Sequence, residues 1–337
     1  MLAEPSDRPV CDASRRHVPP AGIATKEERL VDRYAQLIER ARVGERILID
    51  GGTGSECILR GAPSLPNGWS GGAALSDPGI VLDVHSDYIA LGADLIASNT
   101  FATGRNVLED AGVGDDFEAY NRRAVELALE ARASAGGSTD HVVVAGGISN
   151  WSFSGNRPTL ERLHDNTVEQ ATIMRDAGAE FLSLEMMVDI PRMTATLDAV
   201  SAVGLPVWVG LTIGPEQGQP ADQLGDQIEL REGGLLADGV ELAKEYECVD
   251  AFCLMHSDVR LTERGIAAIR HCWTGPLGAY AHAAQEMDDQ LIFEATITPS
   301  EYAAYEPAWQ AAGATMIGGC CGIGPDHIRA LAIAMGR

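Results

Sequence analysis

Residues 159–186 read TLERLHDNTVEQATIMRDAGAEFLSLEM. The first twenty place apolar residues on one helical stripe, so the spacing predicts a helix over 159–178. Ala177-Gly178-Ala179 then breaks it, because glycine supplies the left-handed turn that ends a helix. Phe181-Leu182-Ser183-Leu184 is a short, nearly continuous apolar run, which suits a strand covered on both faces. It closes on Glu185-Met186, a carboxylate at the strand's C-terminal end. One helix, one glycine stop, one buried strand and one polar tip make up a unit, and the same unit recurs along the chain.

Comparable apolar runs stand at 47–50, 94–99, 142–147, 181–185, 206–212, 251–256, 277–282 and 315–319. Helical patterns occupy 78–92, 117–135, 159–178, 190–203, 235–246, 260–271, 299–312 and 325–335. Pro78, Pro191, Pro299 and Pro325 fall at helix starts, where a missing N–H costs little. Leu91–Ala93 and Ala312–Ala314 repeat the glycine stop before a strand. Eight β-then-α units predict an α/β protein built as a single (β/α)8 TIM barrel. An open doubly wound sheet is the alternative, but no G-x-G-x-x-G follows the first run. Residues 1–24, broken by Pro5, Pro9, Pro19 and Pro20, read as a flexible N-terminal arm, and 25–337 as the catalytic barrel, opened by a helix over 25–43. The glycine- and proline-rich stretch 213–234 follows the fifth strand and reads as a lid or edge loop over the barrel mouth.

With 25 Lys plus Arg against 49 Asp plus Glu among 337 residues, the net charge of −24 argues against nucleic acid and against an anionic membrane surface as partners. No apolar run approaches the ~18 residues of a membrane span, and no signal-peptide pattern opens the chain. Seven cysteines, an odd number in a chain this long, fit a cytoplasmic protein whose thiols serve a metal or catalysis. Whether it forms a homo-oligomer is left open.

TIM barrels carry their chemistry at the C-terminal ends of the strands. Here those ends are Asp50-Gly51-Gly52, Asn99-Thr100-Phe101, Ser149-Asn150-Trp151, Glu185-Met186, Thr212, His256-Ser257-Asp258, Tyr280-Ala281-His282 and Gly319-Cys320-Cys321-Gly322. Two carboxylates, two imidazoles and two adjacent thiols on one rim exceed what resumed polarity at strand ends explains. Adjacent cysteines do not readily bridge each other, and side-by-side thiols suit a soft or borderline cation, with the flanking glycines letting the backbone pass close to it. His256, two strands away around the rim, is the expected third metal ligand beside Cys320 and Cys321. Cys253 is expected to be structural, since strand parity points it away from His256.

These segments resemble the homocysteine S-methyltransferase family. The resemblance runs from about residue 45 to 335 on Asp50-Gly51-Gly52-Thr53-Gly54-Ser55-Glu56, His85 through Asp94, Ser98-Asn99-Thr100-Phe101, Glu185 and Gly318-Gly319-Cys320-Cys321-Gly322. It implies a (β/α)8 barrel, a Zn2+ cofactor held by the cysteine pair and a third cysteine at strand six, and Asp50 and Glu185 holding the ammonium group of a small-molecule thiol acceptor. This chain departs from the pattern: the strand-six position is filled by His256, the Asn after the strand-seven Tyr is His282, and Met186 and Phe101 replace a Thr and a Tyr. Zinc with two thiolates and a neutral imidazole makes a formally neutral site, against −1 with three thiolates, which strengthens the ion as a Lewis acid toward a bound thiol while blunting that thiolate's nucleophilicity. Gly51, Gly52 and Asn99 are expected to touch substrate. Phe101, Trp151, Phe153 and Tyr280, with Trp69 in the first loop, offer aromatic faces for a cationic methyl donor. His282 is open as an alternative ligand, a second-layer partner or a substrate contact. The function expected is methyl transfer from a small onium donor, a betaine or a sulfonium, to homocysteine or a related thiol. The alternative is a zinc hydrolase or demethylase that activates water on the same barrel.

Overall fold

The computed structural model describes residues 26–214, 225, 227–287 and 292–337. The expected arm 1–24 and half of the expected lid, 215–224 and 226, lie outside them. The described residues form ten strands: β1 (Ile47–Leu48), β2 (Leu95–Ala97), β3 (Val143–Ser149), β4 (Phe181–Met187), β5 (Val207–Leu211), β6 (Val249–Asp258), β7 (Leu277–His282), β8 (Ala284–Met287), β9 (Ile292–Ala295) and β10 (Met316–Gly319). Eight of them form one parallel sheet in the order β1-β10-β7-β6-β5-β4-β3-β2. A parallel bridge between Ile49 and Leu95 joins its two outer strands, so the sheet rolls into a nearly closed TIM barrel. The doubly wound alternative has no such closure.

The local signals act as their chemistry requires. Pro78, Pro191, Pro299 and Pro325 each sit within the first two residues of a helix. Gly92, Gly178 and Gly313 take φ of 89°, 109° and 114°, the left-handed turn into the next strand. The predicted helix 299–312 is split into Pro299–Ala303 and Glu306–Ala312. Pro307 explains the break, having no N–H to donate and a ring that clashes with the preceding turn. The antiparallel β8–β9 hairpin after β7 was not foreseen from the apolar pattern.

Two apolar layers hold the barrel. The outer one lies between the strands and the surrounding helices. The inner one fills the lower barrel and takes Tyr34, Leu37, Ile38 and Ala41 from the helix Lys26–Arg42, which plugs the N-terminal end. Phe181 packs between Tyr34 and Trp208 with tilted rings, centroids 5.2 and 4.6 Å away. The indole N–H of Trp208 donates to the Tyr34 hydroxyl (3.0 Å), which donates to Asp250 (3.1 Å). The barrel is therefore shut below and open only at its strand C-termini. Among the described residues no helix is long and apolar enough to cross a membrane.

Candidate active site

Strand parity alone would turn His256 away from the mouth. On β6 the inward residues are Ala251, Cys253 and Met255, while Phe252 and Leu254 pack outward. His256 reverses this by taking φ 44°, and the β6–β7 register slips between Met255 and Asp258. Two consecutive side chains thereby face the same side. The same device recurs on β4, where Met186 takes φ 54° after inward Glu185 and the register slips between Leu184 and Met187. A left-handed conformation is unfavourable for residues other than glycine, so the surroundings must hold it. Arg231 donates to the His256 carbonyl (2.9 Å), Thr212 and Ser257 hydroxyls donate to the Met255 carbonyl (both 3.0 Å), and the Met186 N–H donates to the Met255 sulfur (3.1 Å).

The kink brings the expected metal donors together. His256 Nδ1 lies 3.4 Å from Cys320 Sγ and 3.5 Å from Cys321 Sγ, and the two sulfurs are 3.9 Å apart. A zinc tetrahedron with ordinary Zn–S and Zn–N lengths has edges of about 3.8 Å between sulfurs and about 3.6 Å between sulfur and nitrogen, so the three donors fit that ion. His282 joins them: a ligand atom from each of His256, His282 and Cys321 lies within 4.8 Å of the others. Burial lowers His256 to about 4, which keeps its imidazole neutral and able to coordinate. Cys320 donates to Cys321 and, with the imidazoles, holds that thiol well below its ordinary value, while Cys320 is pushed well above its own. Cys253 is fully buried among the inner apolar side chains, and burial pushes its thiol above its ordinary value.

The glycines of the first and last loops also pack against one another. The Gly52 N–H donates to the Ile323 carbonyl and the Gly319 N–H to the Asp50 carbonyl, both at 2.9 Å. A Cβ on Gly51 would stand 2.2 Å from the Ile323 oxygen, and one on Gly52 2.6 Å from the Cys320 oxygen. The glycines let the first and last loops lie backbone against backbone, which fixes the thiols above Asp50.

A cleft with a cavity volume of about 80 Å3 runs from this rim down the barrel axis. Asp50, Gly51, Gly52, Asn99, Phe101, Glu185, His256, Tyr280, Cys320 and Cys321 all line it, as does Ser183, which the sequence did not single out. Trp151 and His282 are not among its walls. Trp151 instead carries the Arg157 guanidinium 5.5 Å from its ring. Asp50 accepts the Ala97 N–H (2.8 Å), and burial raises it to about 8. Burial, with Asp50 and Cys321 nearby, also raises Glu185 to about 8. Arg192, a conceivable partner for either, binds Asp189 instead (3.1 Å). A Cβ on Gly147 would meet the Glu185 carboxylate at 2.8 Å, so that glycine makes its berth.

Three of the five aromatic residues named above gather at the mouth. Trp69, Phe101 and Phe153 are mutually within 6.1–6.3 Å, centroid to centroid, and pack beside Cys320 and Cys321. Tyr280 lies deeper, its hydroxyl 3.5 Å from that of Ser183. Arg231, largely buried and close enough to feel both thiols, was also missed, because the surrounding loop reads as undifferentiated turn chemistry.

Residues 47–335 match the homocysteine S-methyltransferase family model. The chain is 22% identical over 320 residues to homocysteine S-methyltransferase 2 of Arabidopsis thaliana, covering 86% of this chain and 93% of that one. It is 26% identical over 326 residues to the selenocysteine methyltransferase of Astragalus bisulcatus, covering 86% and 92%. Its fold is similar to the metallated form of the homocysteine methyltransferase MmuM from Escherichia coli, with a TM-score of 0.71, 23% identity, and 86% of this chain and 96% of that chain covered.

Proposed function

The chain belongs to the homocysteine S-methyltransferase family, and on that premise we propose that it moves a methyl group from a small onium donor, a betaine or a sulfonium, to homocysteine or a related thiol, with zinc as its metal. The observation that carries this reading is the convergence of Cys320, Cys321 and His256 at tetrahedral edge distances above two buried carboxylates. Those three residues would hold the ion, which when bound supplies Lewis acidity that makes an acceptor thiol ionise near neutral pH.

The remaining work falls to the chain itself. Asp50 and Glu185 are acids enclosed at the barrel mouth with no basic side chain beside them among the described residues, which makes them receptors for a cation that the ligand brings. An acceptor ammonium restores their ionised form and anchors the molecule, so that its sulfur is directed to the rim. Trp69, Phe101 and Phe153 offer ring faces and edges beside the thiols, where a donor's positive charge is stabilised and its methyl group can lie in line with the acceptor sulfur. The plugged lower barrel and the apolar walls keep bulk water from competing as the methyl acceptor.

Purified protein analysed for zinc and incubated with homocysteine and either S-methylmethionine or glycine betaine tests the reading. The expected result is about one zinc per chain and methionine formed with at least one donor. Zinc-loaded protein that yields no methionine with either donor overturns it.

A further inference from the structure

We propose that His282 is a fourth, displaceable metal donor, so that the site is closed by two sulfurs and two nitrogens when no thiol is bound and opens one position to the acceptor. This rests on the metal reading above. Three observations point to it. The His282 ring reaches two of the other donors, with a ligand atom within 4.8 Å of those of both His256 and Cys321. Its centroid is 4.8 Å from that of His256 at an interplanar angle of 52°, so the rings are splayed rather than stacked and two lone pairs can converge on one point. Its Nδ1 is buried without a hydrogen-bond partner among the described residues, which is unusual for a buried polar atom and marks a position that something else satisfies.

Position in the fold distinguishes His282 from the other three. Cys320, Cys321 and His256 line the cleft, whereas His282, at the end of β7, is not among its walls. It is therefore the donor that can withdraw without disturbing the cleft wall. Homocysteine entering as its thiolate, with the thiol proton released to buffer, would take the place that the neutral imidazole leaves. Four protein donors describe a resting site, and three describe a site that works, since catalytic zinc keeps one position for substrate.

X-ray absorption on the zinc-loaded protein counts sulfurs and imidazoles directly. The expected resting shell is two sulfurs and two imidazoles, becoming three sulfurs and one imidazole on addition of homocysteine. A resting shell with one imidazole overturns the proposal while leaving the three-ligand site intact. A shell without both cysteine sulfurs overturns the metal reading itself, so the two failures are distinguishable. His282→Ala and His282→Asn should each lose one imidazole and weaken zinc affinity about tenfold or more. An unchanged imidazole count in a folded variant refutes the assignment, and the wild-type measurement decides it even if neither variant folds.

Discussion

The two ends of the barrel treat buried charge in opposite ways. At the plugged end, Glu180 is paired with both Arg33 and Arg132 and accepts the Val144 N–H, while Asp94 meets Arg40, Arg337 and the Leu48 N–H. Their donors are supplied by the chain. At the open end, buried Asp50 and half-buried Glu185 have no basic side chain paired with them among the described residues, and Cys320, Cys321 and two imidazoles gather beside them. Paired charges below hold the structure, and unpaired acids above await a ligand cation that ionises them. Substitutions at the two ends should therefore separate stability from activity.

The largest effect is expected at the thiols. Cys321→Ser should remove most of the bound zinc and lower methionine formation by about a thousandfold or more, with little change in Tm measured without metal. His256→Ala should do the same, whereas His256→Cys should retain the ion, because the backbone kink presents whatever side chain stands there. Full zinc retention by His256→Ala would place the third ligand elsewhere. The opposite pattern is expected below: Glu180→Ala strands two arginines and a backbone N–H, costing about 3 kcal/mol of stability while kcat/KM at a permissive temperature stays within about twofold. A large loss of activity in that folded variant would erase the distinction between the two ends.

Why the sequence reveals one end better than the other follows from the kinds of signal each uses. Strands, proline starts and glycine stops are local, so all eight barrel strands and the three left-handed caps at Gly92, Gly178 and Gly313 were legible. The convergence of Cys320, Cys321 and His256 was legible only as an expectation from barrel geometry. Parity argued against it, because a left-handed His256 and Met186 carry no glycine to announce the kink. Arg231 and Ser183 were invisible for a related reason: their roles arise from where distant segments meet, not from spacing. Trp151 stands outside the cleft walls, since position at a strand end does not specify which way a ring turns.

Glu185→Gln sharpens the comparison from the other direction. Acceptor kcat/KM should fall about a hundredfold, yet the fold should gain. Glu185 keeps its proton up to about 8 in the folded protein, while in the unfolded chain it ionises near its ordinary value of 4.5. Between those values the unfolded state binds fewer protons, so wild-type stability declines as pH rises. Glutamine removes that slope. Variant and wild type should melt together below about pH 4, and the variant should melt about 3 °C higher at pH 8 in the absence of ligand. Equal melting at pH 8 would mean that the carboxylate is already compensated.

The smallest expected effect concerns the aromatic group. Phe153→Leu keeps an apolar side chain of similar bulk but removes one π face from the cluster with Trp69 and Phe101. A cation–π contact contributes about 0.5–2 kcal/mol, so KM for the onium donor should rise about two- to thirtyfold. Homocysteine binding, read by isothermal titration with the zinc-loaded protein, should stay unchanged, since the acceptor is held by carboxylates and metal rather than by rings. A parallel loss for both substrates would mean that the ring only packs the mouth. A loss confined to the donor would show that the open end is itself divided: one side takes the cation by its charge against carboxylates, and the other by its charge against π electrons.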